Sequence, residues 1–342
     1  MGHISHPMNI LLFHRTNLTD NINHNGRLFK EKYLKAIIGN ITFMSRRFPA
    51  SKIFFITDQY HILKEKALNS NITLINLQTT TVISDRHLGF LKNYFHLYQN
   101  GYQKLITAFI ERYFYLYDVL VSHNIDNFIS LDSDCILLED ASAHDYDKIG
   151  INHPPRSEDC WANALMCSTT HLNKFLDFIC SFYEGVQQHI TEAQQQPKST
   201  PSLRIPLKER EGIKYINSFF DKPRKGLCDM GLWYLFQKQN PDLFVNNLII
   251  NSEGAVHDLG LGYKPNEYGN FTIKVTQKHD VHQNLETVQI KEIIYTKDAP
   301  CFKEKGSGKL IKIQSLHFTP GTIKLDMIPF IKEYEKIYGL PH

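Results

Sequence analysis

The chain has 342 residues, of which 42% are hydrophobic and 12% aromatic, which is enough to bury the core of one large domain. This composition excludes an intrinsically disordered protein. The 38 basic and 35 acidic residues leave a net charge of +3, so no nucleic-acid partner is expected. No apolar run approaches the ~20 residues of a membrane-spanning helix, although peripheral contact with a membrane stays open.

The first seven residues, MGHISHP, contain no apolar signal core and resemble an added leader. Residues 8–342 are predicted to form one domain. The six cysteines include no Cys-x-x-Cys pair, and apolar neighbours surround most of them. We therefore expect reduced thiols and a cytoplasmic location, including the inner face of a membrane. The sequence indicates no particular oligomeric state.

The first third of the chain alternates predicted strands and helices. Strands are predicted at Asn9–His14, Lys52–Thr57 and Ile72–Leu77, with helical patterns at 28–48 and 60–68 between them. This rhythm is typical of a parallel sheet with helices on both faces. Ligands bind such sheets beyond the carboxyl ends of the strands.

The stretch Asn127–Asp140, NFISLDSDCILLED, is the most informative part of the sequence. Its two apolar runs predict buried strand, yet Asp132 and Asp134 lie between them. Burying an unpaired carboxylate is very costly, so something must offset these charges. Side chains at i and i+2 of extended backbone point to the same side, so both acids can converge on one divalent cation. The alternative is that they cap a turn.

Two further segments carry candidate residues. A predicted helix at 105–123 precedes the acidic stretch, and its Arg112 either reaches a phosphate or pairs at the surface with Asp118 or Glu111. Small residues surround Asn163 and suit a wall that a ligand approaches closely.

The rest of the chain is predicted as a mixture of helices and short strands. Helix patterns cover 88–98, 172–184, 214–220 and 328–337, and another begins at Cys228 with Asp229 as its N-cap. Residues 187–212 are a candidate mobile loop. Residues 271–276 and 288–295 are predicted to form a β-ribbon, and 310–317 a strand that ends in His317.

These pieces together resemble the nucleotide-sugar-dependent glycosyltransferases of the GT-A fold. The layout is closest to the glycogenin-like and lipopolysaccharide galactosyltransferase-like group, glycosyltransferase family 8. That group ends in H-x-x-G-x-x-K, whereas this chain has one more residue between the histidine and the glycine. The features that carry the resemblance are, in chain order, Arg112, Asp132-x-Asp134, the segment around Asn163, and His317…Gly321…Lys324.

The resemblance implies an α/β fold of GT-A type. It consists of a Rossmann-like mixed sheet flanked by helices, with a small β-ribbon and a C-terminal helix. Residues 8–140 correspond to the nucleotide-binding half and 141–342 to the acceptor-side half. The implied reaction moves a sugar from a nucleoside-diphosphate sugar, a UDP-sugar being favoured. Retention of configuration is favoured, and inversion with an Asp or Glu base stays open. The acceptor is a glycan, a lipid-linked molecule or a protein, and Mn²⁺ or Mg²⁺ binds the diphosphate.

The resemblance also implies a role for each matching residue. Asp134 and His317 bind the metal, and Asp132 binds the metal or the donor ribose. Asp58 contacts the base or ribose, and Arg112 holds the phosphates or orients the aspartates. Gly321 and Lys324 stabilise charge on the leaving diphosphate. Asn163 and Asp229 face the transferred sugar, and the residues eligible as a catalytic base are Asp229, Glu253 and Asp258.

Two other classes of function stay open. A phosphatase-like hydrolase also uses a strand that ends in D-x-D, with Asp132 as nucleophile. That class expects Thr or Val two residues after the second acid, whereas Ile136 stands there, about 130 residues into the chain. The other alternative is a non-catalytic sugar-nucleotide-binding protein.

Overall fold

The structure is a computed structural model that describes residues 7–15, 24–66, 68–79, 84–96, 103–195, 207–224, 226–248, 255–258, 260–262, 271–279, 285–319 and 321–339. In this part of the chain the strands are β1 (Asn9–His14), β2 (Lys52–Thr57), β3 (Ile72–Asn76), β4 (Asn127–Asp132), β5 (Cys135–Leu137), β6 (Ile149–Asn152), β7 (Trp161–Ser168), β8 (Phe244–Asn246), β9 (Ala255–His257), β10 (Ile273–His279), β11 (Leu285–Lys291), β12 (Ile293–Tyr295), β13 (Pro300–Lys303) and β14 (Leu310–His317).

Helices surround these strands. They are α1 (His24–Arg47), α2 (Tyr60–Leu63), α3 (Asp85–Asn93), α4 (Gln103–Ser122), α5 (Thr169–Gln195), α6 (Leu207–Asn217), α7 (Asp229–Gln239) and α8 (Met327–Tyr338), with short 3₁₀ helices at Pro241–Leu243 and Gly321–Asp326.

The central sheet has seven strands in the order β3-β2-β1-β4-β7-β6-β8. The first four are parallel, as the alternation of strands and helices predicts. β7 is antiparallel to both β4 and β6, so the sheet is mixed. Because β1, β2 and β4 are parallel neighbours, their carboxyl ends lie at one edge of the sheet.

Both faces of this sheet are covered, and the alternation of side chains along each strand explains how. Leu11 and Phe54 belong to one buried apolar cluster, which helices α3 to α7 complete. Ile10, Leu12 and Phe55 belong to a second cluster, formed with α1, α8 and the second sheet. Successive residues of a strand point to opposite faces, so continuous apolar strands such as β1 and β2 feed both clusters.

A second sheet joins the beginning of the candidate site to its end. Its strands lie in the order β12-β13-β14-β5, and β9 pairs with β14 on the other side. β5 is antiparallel to β14, with His317 opposite Cys135. Residues about 185 positions apart in the chain are therefore neighbours.

The predicted class, a mixed α/β sheet flanked by helices with a β-ribbon and a C-terminal helix, is confirmed. The bounds predicted for β1, β2 and β14 are also confirmed. The ribbon pairs β10 with β11, whereas β12 pairs with β13, so the predicted strand at 288–295 is divided between two sheets.

The mobile loop predicted at 187–212 is wrong at both ends. α5 continues to Gln195 and α6 begins at Leu207, while 196–206 lie outside the described residues. Val186 and Ile190 are buried and continue the apolar stripe of α5. Glutamine is a good helix former, so this polar segment extends the helix once one of its faces is covered.

In the described residues, no helix is both long enough and apolar enough to cross a membrane. All six cysteines are free thiols, and five of them are buried. The prediction that most of the cysteines are buried is confirmed, whereas their reduced state stays a prediction.

Candidate functional site

The two acids of the D-x-D sequence lie where the chain passes from the central sheet to the second sheet. Asp132 is the last residue of β4, Ser133 and Asp134 form a turn, and Cys135 begins β5. The prediction of continuous extended backbone is wrong here, because a turn brings the two acids together. The backbone carbonyl of Asp134 accepts a hydrogen bond from Phe318 N at 2.9 Å, which holds this turn against the end of β14.

Asp132, Asp134 and His317 form one group, which we call the carboxylate–imidazole cluster. One candidate ligand atom of each residue lies within 4.8 Å of the others. His317 Nε2 is 3.4 Å from Asp134 Oδ1 and 4.0 Å from Asp132 Oδ2. It is the only group of three or more such residues in the part of the chain that the structure describes.

Each acid of the cluster also has a basic partner. Arg112 Nη1 donates to Asp132 Oδ1 at 2.6 Å, and Lys324 Nζ lies 2.5 Å from Asp134 Oδ2. Burial by itself would raise the pKa of the Asp134 carboxyl. The positive charges of Lys324 and then His317 outweigh burial and hold that pKa well below its usual value. The positive charges that two acids at the end of a buried strand require are thus present.

Arg112 links the cluster to a third acid, Asp229. Its Nη2 donates to Asp229 Oδ2 at 2.8 Å, and the Tyr113 hydroxyl donates to the same oxygen at 3.1 Å. Burial raises the pKa of the Asp229 carboxyl, and the Arg112 charge offsets part of that effect. The alternatives for Arg112 as a surface partner of Asp118 or Glu111 are therefore wrong.

Asp229 is the first residue of α7, whose N-cap is Cys228. Its prediction as an N-cap is wrong, since its carboxylate faces Arg112 instead.

Lys324 is supported by a chain of polar side chains. Its Nζ donates to the Tyr33 hydroxyl at 3.5 Å and lies 4.9 Å from the centre of the Tyr33 ring. The Tyr33 hydroxyl is 3.0 Å from Ser133 Oγ, and His14 Nδ1 is 3.3 Å from the same oxygen. The ends of β1 and β4 are thereby joined to α1 and to the lysine.

A cavity of about 350 Å³ opens on the cluster. Besides the cluster, Arg112 and Lys324, its lining includes the apolar side chains of Phe13, Leu105 and Phe109. A cavity of this size that combines apolar walls with a few convergent charges is typical of a site for a small organic ligand.

Arg15 also lines this cavity, and a partly buried carboxylate holds it in place. Arg15 Nη1 lies 3.2 Å from Glu111 Oε2, and the other oxygen of Glu111 lies 3.2 Å from His87 Nε2. His87 is fully buried against aromatic rings. The sequence gives no signal for this support of Arg15 or for the partners of Lys324. These side chains come from different elements, so no spacing along the chain connects them.

The other predicted site residues lie apart from this cavity lining. Asp58 follows β2 and accepts from Gln59 Nε2 at 3.3 Å. Asn163 is buried, accepts from Asn152 Nδ2 at 2.7 Å and donates to the Asp258 carbonyl at 3.0 Å. Their contacts with a donor stay predictions.

Two candidates have little or no described side-chain surroundings. Glu253 lies outside the described residues, and Gly321 begins the 3₁₀ helix that carries Lys324.

No protein-family model matches the chain, and no curated protein matches it. Among solved structures, the chain is similar to the crystal structure of mouse xyloside xylosyltransferase 1 in its apo form. That similarity has 10% sequence identity and a TM-score of 0.39, over 70% of this chain and 84% of that one. The chain is also similar to a mutant transferase with two cysteine-to-serine substitutions. There the identity is 14% and the TM-score 0.31, over 65% of this chain and 89% of that one. Similarity this low leaves the function to be argued from the chain's own residues.

Proposed function

We propose that this protein is a glycosyltransferase of GT-A type that uses a divalent cation and a nucleoside-diphosphate sugar, with a UDP-sugar favoured. The observation that carries the proposal is the convergence of Asp132, Asp134 and His317 in one cavity, beside Arg112 and Lys324. Two carboxylates and one imidazole next to two fixed cations suit a metal–diphosphate group better than a neutral ligand.

The residues present fit Mn²⁺ or Mg²⁺. Hard divalent cations take carboxylate oxygens and keep positions for substrate phosphates, and Mn²⁺ also accepts imidazole nitrogen. Asp132 and Asp134 would supply the oxygens, and His317 Nε2 would supply the nitrogen. A cation bound here would neutralise charge on the diphosphate and polarise the bond that breaks.

The chain's own cations would act on the leaving group. Charge accumulates on the phosphate oxygens as a nucleoside diphosphate leaves, and donors fixed in advance stabilise such charge. Lys324 lines the cavity on a short 3₁₀ helix that begins at Gly321, and its ammonium can donate to a phosphate oxygen. Arg112 is held between Asp132 and Asp229. Its ion pair with Asp132 would orient that carboxylate toward the donor.

Retention of configuration is the favoured stereochemical course. Asp132 and Asp134 are the only carboxylates among the described residues that line the cavity, and both are assigned to the cation. An inverting enzyme requires an Asp or Glu base beside the acceptor. The acceptor is proposed as a glycan, a lipid-linked molecule or a protein, and the location as the cytoplasm or the inner face of a membrane.

The test is calorimetric titration of UDP, GDP and CDP into the protein with Mn²⁺ or with chelator, followed by chromatography of UDP-sugar hydrolysis. We expect tight UDP binding and slow hydrolysis that both require Mn²⁺. Asp134→Asn should lose both, whereas Asp147→Asn should retain both, because Asp147 is an exposed acid outside the cavity lining.

The other outcomes assign the other classes of function. Full hydrolysis in chelator, or in Asp134→Asn, would refute the role of the cation. A phosphorylated Asp132, detected by mass spectrometry, would identify a phosphatase-like hydrolase. Metal-dependent UDP binding without any turnover of a panel of UDP-sugars and acceptors would identify a non-catalytic binding protein.

A further inference from the structure

A buried ion pair lies behind the carboxylate–imidazole cluster and outside the cavity lining. It joins Lys291, the last residue of β11, to Asp258, which directly follows β9. The side chains are 1% and 0% exposed, respectively. Burying two charges is expensive, and replacing such a pair with apolar residues often stabilises a protein. Its presence therefore calls for a reason besides stability.

Asp258 reaches the cluster through the backbone of His317. Its Oδ2 accepts a hydrogen bond from His317 N at 3.4 Å, while its Oδ1 contacts Lys291. Three residues later, Leu261 N donates to His317 O at 2.8 Å. Both backbone polar groups of the candidate ligand are thus held by the segment that follows β9.

The sheet geometry explains why a side chain is needed there. β9 runs parallel to β14 but ends at His257, which pairs with Ser315, so β14 continues for two residues beyond this last pair. On the β5 side, Phe318 N rather than His317 N bonds to Asp134 O, so the His317 amide faces Asp258. A buried amide without an acceptor is destabilising, and the Asp258 carboxylate serves as this acceptor where β9 has ended.

Asp258 is itself fixed on every side. Asn163 Nδ2 donates to its backbone carbonyl at 3.0 Å, and its backbone amide donates to Ser315 O at 2.9 Å. Lys291 also donates to Gly260 O at 2.7 Å, which closes the loop around the carboxylate. The carboxylate is therefore engaged by Lys291 and by the His317 amide, and Asp258 lies outside the cavity lining.

We infer that Asp258 and Lys291 are positioning residues that set the backbone, and thereby the imidazole, of His317 for the divalent cation. This inference rests on the proposed function. Outer groups that orient a ligand typically change metal affinity 10–100-fold when they are removed. Lys291 lies on the β10–β11 ribbon, so the ribbon is part of the support of the cation site.

The experiment separates the acceptor role from the charge. Two double variants, Lys291→Met with Asp258→Asn and Lys291→Met with Asp258→Leu, both remove the ion pair at nearly constant volume. Only the asparagine retains an oxygen for His317 N. We expect Mn²⁺ affinity, measured by electron paramagnetic resonance on the folded proteins without donor, to stay within about threefold of wild type for Asn. For Leu it should fall at least tenfold.

Glu335→Gln provides the matched control. It breaks the partly buried Arg46–Glu335 pair between α1 and α8, whose two residues are not among those that line the cavity, and should leave Mn²⁺ affinity unchanged. Equal affinities in the two double variants would overturn the inference.

A second readout does not need the cation. In hydrogen–deuterium exchange of peptides that span His317, the amide should exchange at least tenfold faster in the Leu double variant than in the Asn one. If wild type binds no Mn²⁺, the proposed cation role fails. The exchange result then decides the positioning role alone, with equal exchange refuting it.

Discussion

Two acid–lysine pairs lie near each other at the end of β14, and they differ in one respect. Lys324 meets Asp134 on the cavity and is 28% exposed, whereas Lys291 meets Asp258 away from the cavity and is 1% exposed. The first pair can exchange its partner for a ligand, since the lysine reaches open space. In the second pair both side chains are buried and hydrogen-bonded within the protein, so this pair can only position His317. The exposure of the lysine, rather than the presence of an ion pair, therefore distinguishes a pair that can bind a ligand from a pair that only supports the site.

The largest expected effect is on stability. Lys291→Met leaves Asp258 charged and buried, which should cost about 3–5 kcal/mol of unfolding free energy. Lys324→Met should cost less, because Lys324 is itself partly exposed and the His317 imidazole still lies 3.4 Å from Asp134. Urea denaturation of both variants measures the difference, and equal losses would show that the two pairs do not differ as described.

The next effect concerns the cation. Asp134→Asn should weaken Mn²⁺ binding at least 100-fold, or about 3 kcal/mol, because it removes a charged ligand. The Asp147→Asn variant serves as the control in the same calorimetric titration. A loss below tenfold would mean that Asp134 contributes no ligand.

A pH effect distinguishes the buried region around Asp258 from the cavity. His257 precedes Asp258, and burial, followed by the His144 charge, lowers its pKa to about 3. Since this lies below the unfolded value of about 6.5, the stability that neutral His257 contributes is complete above pH 6.5 and is lost as the pH falls towards 3.

At pH 5 the loss from this residue should be about 2 kcal/mol relative to pH 7. His257→Asn retains a polar group near Ser315 Oγ and should flatten that part of the profile in urea denaturation. Profiles of identical slope for wild type and variant would contradict the prediction.

The smallest effect tests the exchangeable lysine. Lys324→Met should weaken UDP binding in the presence of Mn²⁺ about tenfold, or about 1.4 kcal/mol, by removing one donor to the diphosphate. Lys324→Arg should retain most of the affinity. Unchanged UDP affinity in the Met variant would place the diphosphate elsewhere.

Much of the fold was predictable because local patterns decide it. Continuous apolar runs define β1, β2 and β4, and helix periodicity defines α4 and the core of α5. The ends of elements were less predictable. The polar end of α5 became helical through the burial of Val186 and Ile190, which depends on the packing of one face.

The candidate site divides in the same way. The sequence by itself determined that two acids at the end of a buried strand must be offset, and it pointed to Arg112, His317 and Lys324 as members of one site. Only the tertiary structure decided which basic side chain pairs with which acid. It also decided that Asp229 forms an ion pair with Arg112 and that Asp258 accepts a hydrogen bond from His317 N. Burial cost is a property of each residue type and can be seen in a sequence. Partner choice depends on strand register across about 185 residues, which no local pattern encodes.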